Sequence, residues 1–173
     1  MQVQNVRISF PQIFNASSFH EGDKKKFSAT FIMDEDHPQM EALAELVDKT
    51  AKAKWDKKLP KSLKLPLRDG MEKEDLDGFG EGVIFFNASN TKRPTLVDKD
   101  RSALVEDDGK PYAGCYVNAI IKPWAMDNAY GKRINFSLEG IQFVREGEAF
   151  GGGGGGATAE DFDVIAEDDE IFS

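Results

Sequence analysis

Aromatic and basic side chains alternate with small apolar ones along residues 112–124, YAGCYVNAIIKPW. Because successive side chains of an extended strand point to opposite faces, Tyr112, Tyr116, Lys122 and Trp124 would share one face. Aromatic rings can stack on the bases of a single-stranded nucleic acid while cations contact its phosphates. An amphipathic strand whose tyrosines cover an apolar edge would give the same pattern, and the alternation alone favours neither interpretation.

Other basic residues lie near this segment in the sequence. The stretch NTKRPT contains Lys92 and Arg93, and Arg133 follows the connection that contains Tyr130. Most surface charges are simply solvated, but clustering of cations with aromatic residues favours a nucleic-acid footprint. The predicted DNA-binding residues are Tyr112, Tyr116, Lys122, Trp124, Lys92, Arg93, Tyr130 and Arg133.

Catalytic chemistry has little support in the sequence. The chain has two histidines and one cysteine, too few for a clustered zinc site. No serine lies in a Gly-x-Ser-x-Gly turn, and no Gly-Lys-Ser/Thr follows the run of six glycines. We therefore predict that the protein is not an enzyme and has no metal or cofactor. The single cysteine excludes an intrachain disulfide, which fits a reducing cytosol.

The acidity of the chain is concentrated at its end. The 173 residues have a net charge of −9, but residues 157–173 contain seven acidic residues and no basic ones. Residues 1–156 therefore hold 22 basic and 24 acidic residues, a net charge of −2. We predict a flexible glycine linker at 151–156 and a disordered acidic tail at 157–173. The tail residues predicted to contact partners are Asp168, Asp169, Glu170, Ile171 and Phe172.

Periodicity indicates a mainly β protein with one inserted helix. Alternating or short apolar runs predict strands at 3–10, ended by Pro11, and at 26–33, 82–88, 95–97, 112–124 and 132–144. Apolar residues three and four apart predict a helix around 37–58, capped by Asp34 or Asp36. Five or six such strands suit a small barrel or sandwich. In this pattern Val6, Ile8 and Phe10 point to the same face of their strand.

Several stretches resemble the phage single-stranded-DNA-binding proteins with an OB fold. They are FPQIF, PLRDG, GVIFFNASNTKRPTLVD and the block that runs from YAGCYVN to REGEAF. The resemblance implies a five-stranded Greek-key OB barrel over residues 1–150 and sequence-independent binding of single-stranded DNA. It places the protein in phage DNA replication, recombination and repair, without catalytic activity. The tail is similar to the acidic C-termini of such proteins, although here Phe172 is penultimate.

The resemblance also implies partners and a location. Single-stranded DNA is the expected ligand, and the tail would both compete with DNA and recruit replication proteins such as a polymerase or helicase. The expected location is the cytoplasm of the infected bacterial host, since no apolar run approaches the ~20 residues of a membrane span. A homodimer is left open. Two alternatives remain: a protein-interaction adaptor with weak DNA binding, and an Mg²⁺-dependent nucleic-acid hydrolase.

Overall fold

Seven strands and one long helix form the protein in the computed structural model, which describes residues 1–18, 22–56, 58–151 and 163–165. Two short 3₁₀ turns lie at Gly70–Lys73 and Glu106–Asp108. The elements in chain order are β1 (Gln2–Ser17), β2 (Lys26–Asp34), α1 (Met40–Trp55), β3 (Arg68–Asp69), β4 (Val83–Asn90), β5 (Thr95–Val97), β6 (Tyr116–Asn128) and β7 (Gly131–Arg145).

Five of these strands close into a barrel. The sheet order is β3-β4-β2-β1-β6-β7-β5, and a parallel pairing of β4 with β7 joins Ala88 to Phe136. This pairing completes the ring β1-β2-β4-β7-β6, while β3 and β5 extend it at the edges. The predicted OB-fold barrel with one inserted helix is therefore confirmed.

The barrel encloses an apolar core that continues onto the helix. The rings of Phe31 and Phe136 lie 5.4 Å and 5.1 Å from the ring of Phe86, and all three are buried. Helix α1 adds Leu43, Val47 and Ala51 to the same cluster. Full burial of a large apolar side chain contributes about 1.5–3 kcal/mol, so this cluster is a main source of the barrel's stability.

The first strand differs from its prediction. Strand β1 continues through Pro11 to Ser17, and its register against β2 shifts between Ser9 and Gln12. This bulge accommodates a proline, which cannot donate to the ladder. The backbone of Phe10 adopts a φ of 48°, and its side chain is 41% exposed. The expectation that Phe10 points to the same face as Val6 and Ile8, which are buried, is therefore wrong.

The strand that contains the predicted stacking residues begins later than expected. Residues 112–115 form a turn, and β6 runs from Tyr116 to Asn128. The alternation from there on is as predicted, since Cys115, Val117 and Ile121 are buried. The pairing of β6 with β7 contains two register shifts. At each one the unpaired residue, Glu139 or Val144, belongs to β7, so the alternation of side chains along β6 is not interrupted.

Helix α1 is shorter than the predicted helix. It begins at Met40 because residues 37–39 form a turn, in which Met40 N donates to the carbonyl of His37. Its N-cap is Gln39, which makes no side-chain capping bond, so neither Asp34 nor Asp36 caps the helix. The Gln39 side chain instead bonds β1, accepting from Gln4 N at 2.7 Å and donating to Gln2 O at 2.8 Å.

After β7 the chain crosses back over the barrel as a strap, residues 146–151. Phe150 N donates to Ala113 O at 3.0 Å, and Arg7 Nη2 donates to Glu148 O at 2.9 Å. Gly151 N then donates to Asp77 Oδ2 at 2.7 Å. The predicted linker 151–156 and tail 157–173 lie outside the described residues, except for 151 and 163–165. Within the described ranges, no helix has both the length and the apolarity needed to cross a bilayer.

Candidate nucleic-acid interface

Three predicted residues share the outer face of β6, which we call the β6 stripe: Tyr116, Lys122 and Trp124. Lys122 is exposed and Trp124 is 43% exposed. Across the ladder Lys122 pairs with Ser137 of β7 and Trp124 pairs with Asn135, so the cross-strand neighbour of each is polar. The β6 stripe therefore offers one accessible ring and one exposed ammonium on the same face of a strand.

The ring of Tyr116 is already in contact with two arginines. The guanidinium carbon of Arg145 lies 3.6 Å from the ring centroid, and that of Arg7 lies 5.4 Å away. Cation–π contacts of this kind stabilise by about 0.5–2 kcal/mol. Arg7 is fixed by hydrogen bonds to Gly114 O and Glu148 O, so Tyr116 links the start of β6 to the strap.

Tyr112 lies apart from the β6 stripe. Its hydroxyl donates to Gly147 O at 3.0 Å and accepts from Gly147 N at 3.1 Å. Its ring is half-buried and packs against the core cluster. The structure therefore gives Tyr112 a role in fastening the strap and does not bring it together with Lys122 and Trp124.

The predicted basic loop lies close to the β6 stripe. Asn90 caps this loop by accepting from Lys92 N, and its amide donates to Ser137 Oγ at 3.2 Å, opposite Lys122. Arg93 donates from Nη2 to Phe14 O at 2.9 Å, and its guanidinium lies 5.6 Å from the ring of Phe27. The loop therefore spans from the side of β6 and β7 to the junction of β1 and β2.

The two remaining predicted residues belong to the β6–β7 hairpin. Tyr130 is 89% exposed at its tip. Arg133 is half-buried, and its Nε is buried without a hydrogen-bond partner among the described residues. Tyr130 is thus freely accessible, whereas Arg133 is partly enclosed by the barrel.

A second group of aromatic and basic residues was not predicted from the sequence. We call it the phenylalanine–cation cluster: Phe10, Arg68, Lys73, Phe79 and Phe85. The ring of Phe79 lies 6.4 Å from that of Phe10 and 5.2 Å from that of Phe85. Lys73 Nζ lies 5.7, 5.7 and 5.1 Å from the three ring centroids, and the Arg68 guanidinium lies 5.3 Å from Phe85.

Local structure fixes each member of this cluster. The β1 bulge turns Phe10 outward, while buried Phe85 lies on the outer face of β4, between core-facing Ile84 and Phe86. The 3₁₀ turn that contains Lys73 is capped by Asp69, whose Oδ1 accepts from Met71 N at 2.9 Å.

An ion pair orients the other cation of the cluster. The Arg68 guanidinium donates to both carboxylate oxygens of Glu72, at 2.9 and 3.1 Å. That bond lowers the pKa of Glu72 and raises the pKa of Arg68. Arg68 therefore stays charged, and its orientation over the Phe85 ring is set by a partner on the same turn.

Polar groups continue along the barrel from the cluster. The outward cross-strand pairs of β2 and β4 are Ile32–Phe85, Thr30–Asn87 and Ser28–Ser89. Thr30 Oγ1 donates to Asn87 Oδ1 at 2.5 Å. These strands are the second and third of the barrel, and OB folds bind oligonucleotides on that face, between the loop after strand 1 and the loop before strand 5. The cluster lies on this face, and Tyr130 lies in the second of those loops.

Sequence reasoning had one signal for this cluster. In GVIFFNA, adjacent Phe85 and Phe86 must face opposite sides of a strand, so one ring had to lie outside the barrel. The partners of that ring come from a bulge and from the irregular segment 61–81, where no periodicity indicates which side chains point outward.

The described part of the chain offers neither a metal site nor a reactive cysteine. It contains no group of three or more histidine, cysteine, aspartate or glutamate side chains placed to hold a metal ion. Cys115 is buried, and burial raises the pKa of its thiol to about 11, which keeps the unreactive protonated form.

Comparisons with known proteins match nearly the whole chain. The family model described as Enterobacter phage Enc34, ssDNA-binding protein, matches residues 1–172. Over 185 aligned residues the chain is 34% identical to protein p50 of Acyrthosiphon pisum secondary endosymbiont phage 1, covering 100% of this chain and 98% of p50.

Solved structures show the same likeness. The single-stranded DNA-binding protein from bacteriophage Enc34, in complex with ssDNA, is similar at a TM-score of 0.75 and 29% identity, over 87% of this chain and 88% of that one. The single-stranded DNA-binding protein gp2.5 of bacteriophage T7 shares the fold at a TM-score of 0.56 and 12% identity, over 96% of each chain. The chain belongs to the family of the Enterobacter phage Enc34 ssDNA-binding protein, whose members are DNA-binding proteins rather than enzymes.

Proposed function

We propose that this protein binds single-stranded DNA without sequence preference during phage DNA replication and recombination, in the cytoplasm of the infected host. The observation that supports this most is the phenylalanine–cation cluster on the outer face of β2 and β4. The Phe79 ring lies 6.4 Å from the Phe10 ring and 5.2 Å from the Phe85 ring, and Lys73 Nζ lies within 5.7 Å of all three ring centroids. The relative from phage Enc34 whose structure contains ssDNA supports the same ligand.

The cluster can bind DNA by stacking and charge alone. Phe10, 41% exposed, offers a ring face to a base, and half-buried Phe79 lies next to it. Lys73 and Arg68 supply the positive charge for the adjoining phosphates. Each stacked base is worth about 1–3 kcal/mol, and stacking tolerates any base because every base has a π-face. Binding of this kind reads no base edges and therefore needs no sequence code.

The β6 stripe and its basic surroundings are a second proposed contact. Trp124 would stack on a base, while Lys122, Lys92 and Arg93 would contact phosphates. Exposed Tyr130 could extend this surface at the hairpin tip. The two surfaces are separable by mutation, because no residue belongs to both.

We further propose that the acidic tail competes with DNA and is then available to replication proteins. The strap fastens Gly151 to Asp77, two residues from Phe79, so the linker that leads to the tail leaves the barrel close to the phenylalanine–cation cluster. From Gly151 to the end there are 23 residues, which as a flexible chain span about 25–30 Å. Tethering at this distance gives an effective concentration on the order of mM, enough for a weak acidic peptide to compete.

The experiment that tests the function is a titration of fluorescent oligo-dT and of its duplex at two salt concentrations. We expect tight binding to oligo-dT that weakens as salt rises, because bound phosphates release counterions. The DNA recovered afterwards should be intact. Absence of oligo-dT binding at low salt would favour the adaptor alternative, and Mg²⁺-dependent cleavage would favour the hydrolase.

A further inference from the structure

An apolar groove lies between α1 and the segment that follows it, and none of its lining residues belongs to β2 or β4. Its helix wall is Ala44, Val47 and Ala51, with Asp48 at its margin, and its other wall is Leu59, Pro60, Leu63 and Leu65. The groove encloses about 250 Å³. Leu65 is 56% exposed and Leu59 is 40% exposed. Together with the apolar floor of the groove, these leucines form a continuous exposed apolar surface, a feature typical of interaction sites.

Exposed lysines alternate in the sequence with the apolar residues that line this groove. Exposed Lys58 precedes Leu59, exposed Lys61 follows Pro60, and exposed Lys64 separates Leu63 from Leu65. The acidic residue at the margin, Asp48, is paired with Lys52 at 2.8 Å. Residues 51–66 contain six lysines and one aspartate, in a body whose net charge is slightly negative. The groove therefore suits a peptide that is both acidic and apolar.

The protein's own C-terminal segment has that chemistry. Residues 157–173 contain seven acidic residues and no basic ones, interrupted by Phe162, Val164, Ile165, Ile171 and Phe172. Val164 is 95% exposed and Ile165 is 75% exposed. Val164 and Ile165 are thus left uncovered by the chain they belong to, although a complementary groove exists on its surface.

We propose that the groove between α1 and residues 59–65 binds the acidic tail of a second copy of this chain. The lysines would pair with the tail's carboxylates while its isoleucine, valine and phenylalanine side chains fill the apolar floor. Copies bound to one DNA strand have a high effective concentration for each other, so a weak contact between tail and groove suffices to link them. The consequence is cooperative coverage of DNA. This inference rests on the proposed function only because DNA binding brings the copies close together. The contact between tail and groove does not itself require DNA.

The first test uses a fluorescent peptide of residues 157–173, added to the full-length protein without DNA. Leu65→Asp should weaken peptide binding about tenfold, because it places a carboxylate in the apolar floor next to an acidic ligand. Val105→Asp is the matched control, since Val105 is 58% exposed and lies outside the groove. Equal effects of the two substitutions, or no peptide binding at all, would overturn the proposal.

The second test exchanges charges between groove and tail. Lys58→Glu with Lys61→Glu should abolish cooperative binding to long oligo-dT while leaving the affinity for an oligonucleotide that holds one protein unchanged. Adding Asp168→Lys and Asp169→Lys to the same chain should restore cooperativity by recreating opposite charges across the contact. Failure of short-oligonucleotide binding in the wild type would count against the proposed function, whereas loss of cooperativity without restoration would count against this inference alone.

A third measurement separates a second copy from the chain's own tail. The peptide is titrated into full-length protein and into protein lacking residues 157–173, both diluted until copies do not meet. Equal affinities support docking between copies. Peptide binding that appears only after tail deletion would show that the groove is filled by its own tail, which overturns the proposal.

Discussion

At the scale of residues, the guanidinium of Arg93 is held in place by its bond to Phe14 O and by the ring of Phe27. A positioned cation that contacts one phosphate releases about one counterion. Arg93→Ala should therefore weaken binding to all oligonucleotide sequences alike and flatten the log–log salt dependence by ~0.7. The measurement is oligo-dT affinity at four or more salt concentrations, with exposed Lys49→Ala on α1 as the control. An unchanged slope in Arg93→Ala would mean that this side chain only fastens the loop.

Cys115 gives a prediction on pH. Its thiol pKa is raised from 9.0 to about 11 by burial, so the folded state holds the proton more tightly than the unfolded state. This thiol therefore gives the free energy of unfolding no pH dependence below about pH 9, where it is protonated in both states. As pH rises from 9 to 11, the thiol ionises more readily in the unfolded state, and the free energy of unfolding falls. The Cys115→Ala variant has no thiol at this position and should not show this fall in the free energy of unfolding. Urea unfolding of both proteins at pH 8 and pH 10.5 should show the smaller decrease in the alanine variant; parallel decreases would argue against a perturbed thiol.

Individual residues of the candidate site could be predicted only where strand alternation is regular. Lys122 and Trp124 were found because β6 keeps its alternation throughout. Phe10 was missed because a bulge reverses its direction, and a bulge depends on the pairing with β2 rather than on the local sequence. Lys73 and Phe79 were missed because their contacts cross between a 3₁₀ turn, a loop and two strands.

At the scale of elements, the strap closes over the start of β6 through Tyr112. Tyr112→Phe removes the hydroxyl that both donates to and accepts from Gly147 but keeps the ring. We expect the free energy of unfolding to fall by ~0.5–1.5 kcal/mol with no change in oligo-dT affinity. Chemical denaturation and a DNA titration of the same variant check both parts. A loss of affinity without a loss of stability would instead support the sequence-based view that Tyr112 contacts DNA.

Most strands and the helix could be predicted from the sequence, whereas the point at which β1 ends and the strand pairing that closes the barrel could not. Alternation located β2 and β7, and the three- and four-residue spacing located α1, because each buries one face. Pro11 misled the prediction for β1, since a bulge lets a strand continue past a residue that lacks an N–H group. The β4–β7 pairing joins residues 48 apart, Ala88 and Phe136, and no local pattern encodes such a contact.

At the scale of the whole molecule, charge is divided between a nearly neutral body and an acidic tail. Deleting residues 157–173 should tighten binding to an oligo-dT short enough to hold one protein, most clearly at low salt, where competition between charges is least screened. Phe172→Ala should reproduce part of this effect without altering the charge. Titrations of oligo-dT with the full-length, shortened and Phe172→Ala proteins at low and high salt test both predictions. Equal affinities for the intact and shortened chains at both salts would show that the tail does not enter the DNA-binding face.

The most direct measurement of the central claim compares Phe10→Ala with Trp124→Ala in oligo-dT affinity. The two side chains are 41% and 43% exposed, so truncation of either removes a similar accessible ring from a different surface. If DNA binds across the phenylalanine–cation cluster, Phe10→Ala should weaken binding by ~1–3 kcal/mol, or about 5- to 150-fold, with an unchanged unfolding midpoint. Trp124→Ala should add a separate loss if the β6 stripe is the second contact. Undiminished affinity in Phe10→Ala would contradict the assignment of DNA binding to this cluster.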